Sequence, residues 1–198
     1  MLVFEREKLV FLALPKTGTS ALEAVLEPMA AMVLRHAPNL KHTPGYRYSS
    51  YLKPFLNTCG LKNLQTTCVV RHPVGWLGSW YRYRSRPEKD GAFNSTKHMS
   101  FDRFVDEYAS DTPAEWANLG FPPRFIRGKD GTPMIDHLFQ YEQMPMFVAF
   151  LEQRFGKPIV LPRRNVSPRA QLELSSRTRL KLESKHPQMF EDWETAKR

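Results

Sequence analysis

The fold is decided by residues 9–27, LVFLALPKTGTSALEAVLE. The first part, residues 9–14, is an unbroken apolar run, which is typical of a strand buried on both faces of a parallel sheet. A short turn follows over residues 15–19. Ser20 then stands three residues before Glu23, the spacing of a capping box, with apolar residues at helical intervals behind it. The stretch therefore predicts a strand, a tight turn and a helix.

Such a strand–turn–helix junction is suited to bind an anion. The unpaired N–H groups of the turn and of the first helical turn point to one place, where the helix dipole favours negative charge. Lys16 adds a cation there. A Walker A loop carries its lysine after the second glycine, whereas Lys16 precedes Gly18, the single glycine of this turn. A nucleoside triphosphatase is therefore disfavoured, and the alternative to an anion site is an ordinary βα turn.

A second junction of the same kind lies near the middle of the chain. Residues 66–70 are apolar and β-prone, and Pro73 suits the first position of a new helix. Arg71 precedes that helix and Ser79 lies in its second turn, so at about 1.5 Å per residue both reach one group beside the helix. Arginine supplies a charged fork of donors and serine a hydroxyl. The alternative is a surface arginine and a structural serine.

The two junctions together resemble a known enzyme family. LPKTGTS at residues 14–20 and RHPVGWLGS at residues 71–79 are similar to the two nucleotide motifs of sulfotransferases that use 3′-phosphoadenosine 5′-phosphosulfate (PAPS). Alternating strands and helices predict an α/β fold with a central, mostly parallel sheet flanked by helices. The resemblance implies the three-layer version related to P-loop NTPases, in a single domain over residues 1–198.

The resemblance also implies a reaction and a role for each matching residue. A sulfuryl group passes from PAPS to an acceptor hydroxyl by in-line displacement, leaves adenosine 3′,5′-bisphosphate and requires no metal ion. Lys16 neutralises charge on the bridging and sulfuryl oxygens, while Arg71 and Ser79 hold the 3′-phosphate. The 5′-phosphate is held by the turn amides, which belong to Thr17, Gly18, Thr19 and Ser20. We expect a hydroxyl-bearing acceptor, such as a glycan or a small molecule, and no nucleic-acid partner.

A base for the acceptor proton is expected between the two motifs, where several branches of the family have a histidine or glutamate. His42 lies there, in a segment broken by Pro44 and Gly45 that predicts a loop or short helix bordering a pocket. Imidazole titrates near neutral pH, as a base requires. His36 and Glu23 are further candidates, and a bystander role for His42 is the alternative.

Positive charge is concentrated late in the chain. The net charge is +9, and residues 154–185 hold nine Lys and Arg against two Glu, a net charge of +7. Such a field attracts polyanions of several classes. Residues 163–169, RRNVSPR, resemble the family's late basic loop, so we expect Arg163 and Arg164 near PAPS. The Arg-Lys-Gly triplet of the human cytosolic branch is missing, which leaves the contacting arginine open.

Two other function classes fit parts of the sequence. The YRYRSR alternation at residues 81–86, with the net charge, is compatible with a nucleic-acid-binding module. A nucleotide-dependent phosphoryl-transfer enzyme would share the fold but would require ATP and magnesium. A nucleic-acid-binding module predicts binding of RNA or DNA that depends steeply on salt concentration and survives loss of Lys16.

Composition limits the remaining possibilities. A chain of 198 residues with 41% hydrophobic residues fits one globular domain. No apolar run approaches the length of a bilayer span, and the N-terminal MLVFEREK lacks the basic and apolar regions of a signal peptide, so we expect a cytoplasmic protein. Cys59 and Cys68 have no metal-ligand spacing and are expected to be reduced.

Local signals predict the other main elements. Ser100 is expected to cap a helix, and Ser175 and Ser176 a final basic helix. Residues 134–142 predict a strand that runs into a helix stopped by Gly156. Residues 159–161 predict a last short strand.

Overall fold

The computed structural model describes residues 1–162 and 172–197. These divide into two compact units. The first comprises residues 1–71, 122–162 and 195–197, and the second comprises residues 72–121 and 172–194. Each unit has its own apolar cluster. That both belong to one domain over residues 1–198 stays a prediction.

From the second strand onward, one or more helices separate successive strands, as expected for an α/β protein. The strands are β1 (Leu2–Phe4), β2 (Leu9–Leu12), β3 (Met32–Val33), β4 (Gln65–Val70) and β5 (His137–Gln140). The helices are α1 (Thr19–Leu26), α2 (Pro38–Lys41), α3 (Gly45–Arg47), α4 (Lys53–Thr58), α5 (Pro73–Arg84), α6 (Phe101–Tyr108), α7 (Pro123–Ile126), α8 (Met144–Phe155), α9 (Ser176–Lys185) and α10 (Pro187–Thr195). Short 3₁₀ turns cover Glu27–Met29, Pro87–Lys89 and Tyr141–Gln143, and a π-helical turn covers Tyr48–Leu52.

The five described strands form one sheet in the first unit, in the order β3-β1-β2-β4-β5. The pairs β2–β4 and β4–β5 are parallel, whereas β1 is antiparallel to both β2 and β3. The sheet is therefore mixed, and the prediction of a mostly parallel sheet is wrong. The reason is local: β1 and β2 are joined by the four residues 5–8, and so short a connection allows only antiparallel pairing.

Strand β2 is the centre of the sheet and is buried on both faces, as its apolar run predicted. Leu9 and Phe11 belong to a cluster that includes Leu22 of α1 and Phe147 of α8. The strand is two residues shorter than the apolar run, because the backbone leaves the ladder after Leu12. The α/β class with helices flanking a central sheet is confirmed.

Three local expectations are wrong in detail. Helix α1 begins at Thr19 and its N-cap is Gly18, so the predicted capping box of Ser20 and Glu23 is not formed. Residues 159–161 are not a strand, and the side chain of Val160 is 82% exposed. The strand predicted for residues 134–142 is limited to β5, although α8 does end at Gly156, which has φ of 64°.

The second unit is helical in the part that the structure describes. Helix α5 begins at Pro73, the Ser100 hydroxyl accepts a hydrogen bond from the N–H of Arg103, and Ser175 caps α9 in the same way. These helix starts are confirmed. Helix α10 was not predicted as a separate element, and its Trp193 packs edge-on against the ring of His72, with 4.7 Å between centroids.

Two features are absent from the described residues. Across residues 1–162 and 172–197, no helix combines the length and the apolar character needed to cross a membrane. The same residues contain no group of three or more His, Cys, Asp or Glu side chains that could hold a metal ion. Cys59 is exposed, and Cys68 is buried in β4, where burial raises the pKa of its thiol to about 12.

The aromatic core of the first unit is expected to dominate its stability. Phe147 is fully buried, with its ring centroid 5.9 Å from that of Phe11 and 5.0 Å from that of Phe139. Phe147→Ala should lower the free energy of unfolding by about 3–5 kcal/mol because it leaves a cavity. Phe55→Ala is the matched control: that ring is 56% exposed, and we expect a change of about 0.5 kcal/mol or less. Equal losses in urea denaturation would contradict the assigned core.

Candidate anion-binding site at the carboxyl edge of the sheet

Three parallel strands end at the same edge of the first unit's sheet. The register pairs Leu12 of β2 with Cys68 of β4, and Val70 of β4 with Gln140 of β5. The segments that follow these strands are therefore neighbours in space. Ligands of α/β sheets bind at this edge, outside the carboxyl ends of the strands.

The turn after β2 has a backbone shaped to bind an anion. Lys16 and Gly18 both have left-handed backbone conformations, with φ of 71° and 77°, on either side of Thr17. Left-handed residues in such a turn direct successive N–H groups toward one concave surface, which is an anion-binding arrangement. The Thr17 hydroxyl donates to the carbonyl oxygen of Leu14 at 2.8 Å and ties the turn together. Helix α1 begins directly behind it.

A left-handed conformation is uncommon for lysine and costs about 1–2 kcal/mol relative to the right-handed one. Such strain is typical of functional turns, where the surrounding structure holds the residue in place. Lys8 and Asn63 share this conformation, so the strain describes the shape of the turn at Lys16 and does not by itself assign a function to it.

Arg71, the residue that follows β4, lies against this turn. Its Nη1 donates to the carbonyl oxygen of Lys16 at 3.3 Å. The lysine and arginine predicted to bind the two ends of one nucleotide therefore meet at one edge of the sheet, although 55 residues separate them. Two cationic residues and the N-terminus of α1 together favour an anion there.

Tyr141, the residue that follows β5, is the part of the site that sequence reasoning missed. The Arg71 guanidinium carbon lies 4.3 Å from the centroid of the Tyr141 ring, a cation–π contact. The same ring approaches Gly18 so closely that a Cβ atom there would lie 3.2 Å from Tyr141 Cε2. The sequence signal for Tyr141 was its position near the end of the strand predicted over residues 134–142.

His42 lies just after α2 and contacts the end of β2. Its Nδ1 is 2.6 Å from the carbonyl oxygen of Ala13, three residues before Lys16. A carbonyl oxygen only accepts, so Nδ1 donates its proton and the lone pair is left on Nε2. Burial lowers the pKa of His42. The imidazole is therefore neutral at physiological pH, in the tautomer that a general base at Nε2 requires.

The other candidate bases are placed differently. Glu23 of α1 forms an ion pair with Lys41, with 2.7 Å between carboxylate oxygen and ammonium nitrogen. That ion pair ties α2, next to His42, to α1. His36 is exposed on the connection before α2.

The remaining predicted site residues are not brought to this edge by any described contact. Ser79 lies in the second turn of α5, in the second unit, and is partly buried. Its assignment to the 3′-phosphate stays a prediction. Arg163 and Arg164, with the rest of the predicted late basic loop, lie outside the described residues.

Comparisons with known proteins add no assignment. The chain matches no protein-family model, no curated protein and no solved structure.

The close approach of Tyr141 to Gly18 can be tested by adding one methyl group. Gly18→Ala should destabilise the protein more than Gly60→Ala, because both glycines have a left-handed backbone but only Gly18 has a neighbour at its Cβ position. Each change costs about 1–2 kcal/mol for the backbone. Displacing the tyrosine ring should add about 1–3 kcal/mol at Gly18. Thermal or urea unfolding measures both, and equal losses would show that the ring does not pack against the turn.

The lowered pKa of His42 predicts a pH dependence of stability. The folded state binds the proton less readily than the unfolded state, so protonation of His42 favours unfolding. The free energy of unfolding is therefore unaffected by this histidine above its ordinary pKa of about 6.5 and decreases as the pH falls below that value. His42→Asn keeps a donor for Ala13 and removes the titration. Urea denaturation between pH 5 and 8 should therefore show a smaller acid loss for the variant. Parallel curves for the two proteins would refute the assignment.

Proposed function

We propose that this protein transfers a sulfuryl group from PAPS to an acceptor hydroxyl, on a three-layer fold related to P-loop NTPases. The observation that carries the proposal is the contact between the two predicted nucleotide motifs: Arg71 donates to the backbone of Lys16 within one anion-binding edge. The resemblance of LPKTGTS and RHPVGWLGS to the family's motifs supports PAPS as the ligand. We propose a cytoplasmic enzyme that needs no metal ion.

The turn supplies the donor side of the reaction. PAPS, when bound, supplies the activated sulfuryl group. The amides of Thr17, Gly18, Thr19 and Ser20 would hold its 5′-phosphate, and the left-handed turn geometry fits that group. Lys16 would neutralise the charge that develops on the bridging oxygen as the S–O bond breaks. Arg71 and Ser79 would hold the 3′-phosphate, with Arg163 or Arg164 as a further contact.

His42 supplies the acceptor side. The acceptor oxygen forms a new bond to sulfur while the bond between sulfur and the bridging phosphate oxygen breaks. During this step Nε2 takes the proton of the acceptor hydroxyl, and the bisphosphate leaves. The hydrogen bond to Ala13 keeps the imidazole oriented while it does so. Because the transition state is charge-dispersed, positioning and electrostatic stabilisation provide most of the rate. A hydroxyl of a glycan or small molecule is the proposed acceptor.

Ligand specificity provides the first test. Adenosine 3′,5′-bisphosphate should raise the melting temperature and bind in calorimetry, because it presents both phosphates. ATP with Mg²⁺ is the probe for a phosphoryl-transfer enzyme, and single-stranded RNA over a range of salt concentrations is the probe for a nucleic-acid module. Binding of either of these without binding of the bisphosphate would overturn the proposal.

Lysine substitutions on either side of β2 provide a matched test. Lys16→Ala should abolish sulfuryl transfer from labelled PAPS and weaken adenosine 3′,5′-bisphosphate, while the fold remains intact. Lys8→Ala is the control, because it removes the same charge from a residue that also has a left-handed backbone. Lys8 lies at the opposite end of β2. We expect Lys8→Ala to keep wild-type turnover. Equal effects of the two variants would mean that net charge, not the turn, is responsible.

A further inference from the structure

The ring of Tyr141 connects the two cationic parts of the candidate site. One part of the ring lies against the turn at Gly18, where a Cβ atom would be 3.2 Å from Cε2. Its face lies 4.3 Å from the guanidinium carbon of Arg71. Arg71 in turn donates to the Lys16 carbonyl oxygen. The turn, the ring and the guanidinium therefore form a closed set of contacts.

This set holds the guanidinium in place by two groups that differ in kind. The Lys16 carbonyl oxygen accepts a directed hydrogen bond from Arg71 Nη1 at 3.3 Å, which sets the distance between the guanidinium and the turn. The aromatic face attracts the cation through its quadrupole and restricts the rotation of a long side chain. A side chain that is ordered before its ligand arrives loses less freedom on binding, which increases affinity.

The position of the ring is itself fixed by the fold. Tyr141 follows β5, whose residue Gln140 is paired with Val70 in β4, the residue directly before Arg71. Met144 of α8 lies beside the ring, with its methyl carbon 3.5 Å from the Cβ position of Gly18. The ring and the Met144 methyl group therefore both occupy the space next to Gly18, and the ring is joined to Arg71 by adjacent strands.

We propose that Tyr141 is a positioning residue that fixes Arg71 relative to the Lys16 turn, so that the site selects ligands carrying two anionic groups at a set separation. The inference rests on the proposed function, in which the turn holds one phosphate and Arg71 the other. Tyr141 needs only its aromatic face for this role, so its hydroxyl is dispensable.

Calorimetry on single variants tests the selectivity. Tyr141→Leu should weaken adenosine 3′,5′-bisphosphate about threefold to thirtyfold, the range of a partly desolvated cation–π contact. It should change the affinity for adenosine 5′-monophosphate, which lacks the second phosphate, by less than about twofold. Tyr141→Phe should retain wild-type affinity for both. Tyr51→Leu is the control, since Tyr51 is 73% exposed in the same unit. Equal weakening of both nucleotides, or loss in Tyr141→Phe, would overturn the inference.

A double-mutant cycle separates positioning from general support of the fold. If Tyr141 acts through Arg71, Tyr141→Leu should have no further effect on bisphosphate affinity in an Arg71→Ala background. A merely structural tyrosine would weaken binding by the same factor in both backgrounds. That outcome would overturn the inference and leave the proposed function standing.

A measurement without ligand tests the contact itself. In protein labelled with ¹³C and ¹⁵N arginine, the Arg71 side-chain resonances, assigned by their loss in Arg71→Ala, should be shifted upfield by the ring current. The shift should persist in Tyr141→Phe and disappear in Tyr141→Leu. Unshifted resonances in the wild type would overturn the inference even if Tyr141→Leu does not fold. Shifted resonances in a protein that does not bind the bisphosphate would instead remove the proposed function and leave the positioning contact.

Discussion

Parallel pairing of β2, β4 and β5 is the constraint on which the candidate site depends. Strands that run in one direction and end together place the residues that follow them at one edge. The registers Leu12–Cys68 and Val70–Gln140 do this for three segments far apart in the chain. The two residues that leave β4 and β5 next are Arg71 and Tyr141, and they meet the turn after β2. A slip of one register would move their side chains to the opposite face.

Much of the helical structure could be predicted because helix ends depend on a few neighbouring residues. Pro73, Ser100 and Gly156 each act within one turn, so the sequence around them contains the relevant interaction. Strand β1 has only three residues and was not itself predicted, so the antiparallel pairing that its short connection to β2 imposes was missed as well. Residues 159–161 show the converse: their side chains favour a strand, but no described strand pairs with them.

In the candidate site too, features set by neighbouring residues could be predicted, and features set by distant contacts could not. The Lys16 turn was predictable because an apolar run, a lysine and a glycine stand next to one another. Its detailed geometry was not, since Gly18 takes the N-cap position in a left-handed conformation that a serine could adopt only under strain. Tyr141 was missed because its importance comes from the register of β4 with β5, and His42 is oriented by a carbonyl 29 residues earlier in the chain.

The chemistry of the contacts distinguishes two kinds of cation in the first unit. Lys41 lies 2.7 Å from the Glu23 carboxylate, which compensates its charge and joins α2 to α1. Arg71 has contacts of another type, which include a hydrogen bond to a carbonyl oxygen and a cation–π contact with an aromatic face. A dipole and a quadrupole orient the guanidinium in these two contacts. Because Lys16 and Tyr141 lie beyond the ends of β2 and β5, the pairing of both strands with β4 is what brings these two contacts to Arg71.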